Sequence, residues 1–247
     1  MKTLLISGHK SDIGLVRQNN EDALYTNDRL GVYVLADGMG GHEGGEIASN
    51  IVVNTVAKFL SRSIIELQNK NVGQIVHNAL HEANEEIILF RKNQFNLMSM
   101  ATTVVISIFL NDVVNCIHLG DSRAYLYNKD NDLIQLTPDD SLVTEMVKQG
   151  MMRKDELKNH SLRNIVTRYL GTINLTLPEI QQFRVETNDC IMLCSDGLTN
   201  MLNDKEIQSI LRENISIGPQ DVCDLLVDKA NAKGGQDNIS VIVVQSK

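Results

Sequence analysis

The feature that most restricts the fold is a repeated unit, a short and nearly all-apolar run with an aspartate at one end. Val32-Tyr33-Val34-Leu35-Ala36 runs into Asp37, and Val113-Val114-Asn115-Cys116-Ile117-His118-Leu119 into Gly120-Asp121. Cys190-Ile191-Met192-Leu193-Cys194 runs into Ser195-Asp196, and Asp237-Asn238 leads into Ile239-Ser240-Val241-Ile242-Val243-Val244. The polar cluster Arg17-Gln18-Asn19-Asn20-Glu21-Asp22 lies beside further strand-forming residues. Runs of this kind read as strands, and strand ends of one sheet converge in space though far apart in sequence. Carboxylates gathered in this way repel one another and raise each other's pKa. A divalent metal cluster is the economical reason to keep them together.

After Asp37 comes a loop rich in glycine, Gly38-Met39-Gly40-Gly41-His42-Glu43-Gly44-Gly45. Glycines let backbone adopt conformations, and approach ligands, in ways that a Cβ would block. A carboxylate at the tip of a buried strand suits a hard cation. His42, five residues on, can transfer protons near neutral pH. Taken alone, a turn with a solvated Asp explains the loop equally well.

The 247 residues allow one large domain or two small ones. The carboxylate motifs span Asp22 to Asp237, which favours one domain closing on one site. A formal charge of -8 argues against nonspecific nucleic-acid binding, because phosphate backbones attract Lys and Arg. Cys116, Cys190, Cys194 and Cys223 include no CxxC pair, so they read as buried apolar thiols rather than zinc ligands or a disulfide framework. The first residues carry too short an apolar stretch for a signal peptide. No apolar run approaches the ~20 residues that span a bilayer. A reduced, cytoplasmic protein is expected.

The pattern predicts strand over 3–16, broken at His9 to Asp12, then strands over 23–26 and 31–36. From Glu46 to about Leu67, and again from Val72 to Asn93, apolar spacing predicts helices, the second burying Ile75, Ala79, Ala83, Ile87 and Phe90. Two hairpins follow: 102–110 with 113–119, and 123–127 with 133–136. Residues 141–171 read as two short helices, 141–150 and 163–170, around a charged middle; a surface flap and an ordinary helical connection fit equally. Strands over 181–185 and 189–194 come next, then helices starting at Asn203 and Pro219 and a last strand over 239–244. Strands, two helices, then more strands argue for a layered α+β fold.

Taken together and in order, these motifs resemble the metal-dependent PPM (type 2C) Ser/Thr protein phosphatases of bacteria, over essentially the whole chain. The resemblance implies a four-layer αββα sandwich, two central antiparallel sheets flanked by helices, with a small flap subdomain at about 141–171. It implies direct attack on phosphoserine and phosphothreonine by a hydroxide bridging two Mn²⁺ or Mg²⁺ ions, with no phosphoenzyme. By the same resemblance Asp37 bridges the metals, Gly38 coordinates through its carbonyl, and Asp196 and Asp237 complete the pair. Asp121, with Asp196, serves a third metal. Asp22 and Glu21 join the shell through water, Arg17 binds phosphate, and His42 is a candidate general acid.

These implied roles agree with the chemistry of the residues. Oxygen-only ligands suit Mg²⁺ or Mn²⁺, and the planar Arg fork matches phosphate oxygens. Phosphoprotein substrates and a cognate Ser/Thr kinase are the expected partners, with a monomer, no membrane and no nucleic acid. A phosphodiesterase or nuclease with the same metals is disfavoured by the acidic balance. A regulatory module without activity is disfavoured because Arg17, Asp37, Asp196 and Asp237 are all present. Three departures stand out. Ala101 replaces a usual Gly before Thr102-Thr103, Asp140 replaces a usual His in Asp139-Asp140-Ser141, and Ser161 replaces a usual Pro.

Overall fold

The computed structural model describes residues 4–40, 43–63, 71–92, 94, 97–128, 130, 132–153, 156 and 160–247. Among the described residues, eleven strands form two sheets, each antiparallel throughout. One has the order β1-β11-β10-β7-β8. Its strands are β1 (Leu5–Asp12), β11 (Ile239–Ser246), β10 (Cys190–Cys194), β7 (Arg123–Tyr127) and β8 (Leu133–Gln135). The other has the order β2-β3-β5-β6-β9, with the two-residue β4 (Ala101–Thr102) pairing beside β3. Its strands are β2 (Asp22–Asn27), β3 (Val32–Met39), β5 (Val104–Leu110), β6 (Val113–Leu119) and β9 (Gln181–Arg184).

Strand alternation explains the all-apolar runs. Successive side chains of a strand point to opposite faces. In β3, Val32, Val34 and Ala36 pack against helices α1 (Gly44–Arg62) and α2 (Val72–Arg91), while Tyr33 and Leu35 face the other sheet. In β10, Ile191 and Leu193 meet them from across the interface. Cys190, Met192 and Cys194 point the other way, onto α4 (Asp196–Met201), α5 (Asp204–Asn214) and α6 (Pro219–Ala232). Each central strand is thus covered on both faces, which yields the αββα sandwich. Tyr33 and Phe109 meet edge-to-face at 5.7 Å in the middle layer, a favoured aromatic geometry.

Most element ends follow local chemistry. Asn203 and Glu206 form a complete capping box at the start of α5, satisfying two backbone N–H groups. Pro219 opens α6, where its missing N–H costs nothing. Asn111, at φ 58°, turns the β5–β6 hairpin. All four cysteines are buried and free. No helix among the described residues is long and apolar enough to cross a membrane.

Three expectations fail. First, β1 runs unbroken through His9 to Asp12, because every residue there has a backbone partner on β11, and it ends at Asp12 rather than at 16. Second, Phe90 is 38% exposed rather than buried. Third, 163–170 is not helical. Its backbone pairs instead at Ser141–Val166 and Thr102–Leu170, so tertiary pairing overrides local helical spacing. The other short helix of this region, α3 (Leu142–Lys148), is present and capped by Ser141. Residues 64–70, over which the sequence predicts the end of the first helix, lie outside the described residues.

Candidate metal centre

Five of the predicted carboxylates come together at one end of the sandwich. Asp22 on β2 and Asp37 on β3 are directly paired in the ladder. Asp22 Oδ2 accepts a hydrogen bond from Ser195 Oγ at 2.8 Å, which ties β2 to the start of α4 and to Asp196. Glu21 N donates to Asn238 Oδ1 at 2.8 Å, and Asn238 Nδ2 donates to the carbonyls of Ile13 and Asn19. This brings the Arg17–Glu21 segment to Asp237. Arg17 Nη2 lies 2.6 Å from Asp237 Oδ2. Gly38 N donates to the Glu21 carbonyl at 3.0 Å, and a Cβ on Gly38 would fall 2.1 Å from the Gly45 carbonyl oxygen. Only glycine fits there, which accounts for part of the glycine-rich loop.

Asp37 and Asp121 are connected through two threonines. Thr103 N and Thr102 Oγ1 both donate to the Asp37 carbonyl, and Asp37 N donates to Thr103 Oγ1. Thr103 Oγ1 and Ser122 Oγ are 2.7 Å apart. Ser122 follows Asp121, so one hydroxyl chain links the backbone of Asp37 to the residue after Asp121. Sequence reasoning gave no role to Thr102, Thr103, Ser195 or Asn238. The visible signal was a pair of hydroxyl residues opening an otherwise apolar strand, and the Asn beside Asp237.

The electrostatics are those of a site short of positive charge. Loss of hydration pushes Asp22 up to about 7, with Asp196 and Asp237 adding to the effect against hydrogen bonds from Ser240 and Ser195. Asp121 is likewise pushed up to about 7 by loss of hydration, then by Asp196 and Asp139. Asp37 is held well above the usual carboxylate range by loss of hydration and by Asp22, Asp196, Asp121 and Asp237. Asp196 is raised for the same first reason and by Asp237. Glu21 is raised by partial burial; Arg17 opposes that shift, and Asp237 and Glu46 add to it. Burial opposes the Arg17 charge, but Asp237 more than offsets it.

The donor set fits a hard divalent cation. All the groups are oxygens, and Asp22 Oδ1 is buried without any hydrogen-bond partner, a costly condition that a charged or water-bridged neighbour would relieve. Among the described residues, no three acidic, His or Cys side chains already close into a coordination shell. Arg17 is seated on Asp237 in the same space. His42 lies outside the described residues. Of the other histidines, His118 is buried and bonded through Nε2 to the Pro138 carbonyl at 2.6 Å.

Comparison with known proteins decides the family. A sequence profile described as protein phosphatase 2C matches residues 16–222. The chain belongs to the protein phosphatase 2C family. It is therefore a member of a family of metal-dependent serine/threonine protein phosphatases. It is similar to the serine/threonine phosphatase stp of Listeria welshimeri, with 35% identity over 241 residues, covering 96% of this chain and 94% of that one. The Mycobacterium tuberculosis phosphatase PstP/Ppp superposes with a TM-score of 0.88 at 30% identity over 98% of both chains. The catalytic domain of PstP in complex with two manganese ions gives 0.86 at 29% identity, covering 99% of each chain.

Proposed function

We propose that the carboxylate cluster is the metal centre of a phosphatase acting on phosphoserine and phosphothreonine. Asp37, Asp196, Asp237 and the Gly38 carbonyl are the residues assigned to two Mn²⁺ or Mg²⁺ ions. Asp121 is assigned to a third, and Asp22 with Glu21 to the surrounding water. When bound, these cations supply a water of lowered pKa and offset the charge of the phosphate. The protein's own part is to hold the carboxylates in place and to orient the ester.

The observation that carries this reading is the meeting of five aspartates from remote parts of the chain, with one exposed arginine among them. Arg17 is half exposed yet seated on Asp237. With Asp237 given to a cation, the Arg17 fork would be free to match phosphate oxygens in pairs. His42, assigned through the family resemblance alone, is the proposed proton donor to the leaving alkoxide. Residues 141–171 are the proposed flap within a single domain. A Ser/Thr kinase with shared substrates is the proposed cellular counterpart, and a cytoplasmic monomer the proposed form.

The test is phosphate release from a phosphothreonine peptide, with Mn²⁺ or with chelator, beside an Asp196→Asn variant. We expect release that requires Mn²⁺ and falls more than about a hundredfold in the variant, since even a residue that only supports a ligand is worth about 10–100-fold. Equal release by the variant would remove Asp196 from the site.

A further inference from the structure

Residues 14–16 form a turn immediately before Arg17, and this turn carries side chains that turns seldom carry. Such positions usually hold Gly, Pro, Asn, Asp or Ser. Here Leu15 is 68% and Val16 64% exposed, and Ile13, just before the turn, is exposed as well. A single exposed apolar residue needs no explanation; consecutive ones beside a functional side chain mark a contact surface.

The backbone that presents them is fixed. Gly14 N donates to Asp12 Oδ1 at 2.8 Å, and Asn231 Nδ2 donates to the same oxygen at 3.0 Å. The Ile13 carbonyl accepts from Asn238 Nδ2 at 2.9 Å, and Leu15 N donates to the Gly235 carbonyl at 2.7 Å. Gly14 has φ +80°, and a Cβ there would fall 2.3 Å from the Asp237 carbonyl oxygen. A Cβ on Gly235 would lie 3.0 Å from Leu15 Cγ, so Leu15 rests on bare backbone and turns its remaining surface to water. The turn is thus clamped to 235–238, the segment that carries Asp237. Arg17 is seated on Asp237, so the guanidinium and the two exposed side chains share one mount. A surface held in this way loses little freedom when it is covered, which favours binding.

We propose that Leu15 and Val16 form an apolar platform that receives an apolar side chain of the phosphoprotein, one or two residues from its phosphorylated residue. The inference rests on the reading of Arg17 as the phosphate-binding residue. Given that anchor, reach decides the occupant. Val16 and Leu15 lie one and two residues from Arg17, at most about 7 Å along the chain. A substrate residue one or two from the phosphorylated one spans the same distance, so a phosphate held at Arg17 brings its near neighbours to the platform. Neither side chain is charged or polar, so the platform selects by burial of apolar surface.

The experiment measures kcat/KM with saturating Mn²⁺ on phosphothreonine peptides. A single leucine or a single serine is placed in turn at each of the two positions on either side of the phosphothreonine. At one position or more, wild type should favour leucine by about tenfold, the scale of a modest apolar contact. Leu15→Ser and Val16→Thr should shrink that ratio by raising KM for the leucine peptide, and Leu15→Met should keep it. A turn that only braces Asp237 and Arg17 would act otherwise: Leu15→Ser would lower both peptides alike and leave the ratio intact. That result overturns the proposal, as does a wild type without leucine preference at any position. If the platform instead joins two copies of this chain, no peptide is preferred and Leu15→Ser turns a dimer into a monomer in sedimentation. Failure of the underlying reading looks different. Arg17→Lys would then keep wild-type kcat/KM on every peptide, and the platform would lose its anchor. Should Leu15→Ser fail to fold, Val16→Thr, which keeps shape and adds one hydroxyl, carries the same comparison.

Discussion

Asp22 and Met151 mark two ends of a range within this molecule. Asp22 sits on a strand, 8% exposed, with one carboxylate oxygen lacking any partner. Met151, within the 141–171 region, is 70% exposed and apolar. The carboxylate cluster is held by both sheets, by reciprocal hydrogen bonds and by glycines that admit no side chain. The flap region has, among its described residues, only Ser141, Val143, Leu170 and Gly171 buried. The first region keeps charges where hydration is poor; the second leaves apolar side chains where hydration is good. Both conditions are unfavourable for an isolated chain, and each points to what it meets. On the proposed reading, the cluster meets cations and the flap meets protein substrate.

The largest contrast should come from pH. Asp22 and Asp121 titrate at about 7 in the folded chain against an ordinary 3.8. Their protonated forms are favoured by folding, so this contribution is complete below the unfolded value and lost as pH rises through about 7. His118, lowered from 6.5 by burial, acts in the opposite sense at more acid pH. The loss falls between the ordinary value and about 7, so the comparison belongs between about pH 5 and 7.5, where the raised carboxylates outweigh the one histidine. In chelator, urea unfolding should show the protein losing stability across that interval. Saturating Mn²⁺ should flatten the dependence, because cation binding displaces the same protons. Constant or rising stability in chelator would contradict the assigned titrations.

A smaller effect is expected at the flap. Met151→Ser and Ile165→Ser remove exposed apolar groups, so stability should move by no more than about 0.5 kcal/mol. Turnover of a small aryl phosphate should stay at the wild-type level. KM for a phosphoprotein should rise a few-fold, which steady-state kinetics would show. Equal KM for the phosphoprotein would remove these side chains from substrate contact.

The sequence exposed the two regions unequally, for physical reasons. Asp37, Asp121 and Asp196 could be picked out because burial on both faces makes the adjoining strands all-apolar, so each aspartate ends a conspicuous run. The capping box at Asn203 and the Pro219 start were legible because helix caps act within a few residues. The unbroken β1 was not, since its polar His9 to Asp12 are held by a partner strand, Ile239–Ser246, at the far end of the chain. Thr102 and Thr103 were visible as hydroxyls before an apolar strand, but their role was not, because they serve the backbone of Asp37, which no spacing rule connects to them. Residues 163–170 carry helical spacing but take their backbone partners from Ser141 and Thr102. Asp140 was visible only as a departure from the family pattern; its bonds to Gly120 and Arg168 needed the fold.

The most direct test of the cluster is thermal unfolding of wild type and Asp37→Asn, each with chelator and with saturating Mn²⁺. Without metal, Asp37→Asn should be the more stable protein, because it removes one of the mutually repelling, poorly hydrated charges. With Mn²⁺, wild type should rise steeply by mass action while the variant gains little, so the order of the two reverses. If Asp37→Asn is no more stable in chelator and gains as much from Mn²⁺ as wild type does, the carboxylates do not form the cation site, and the central claim is wrong.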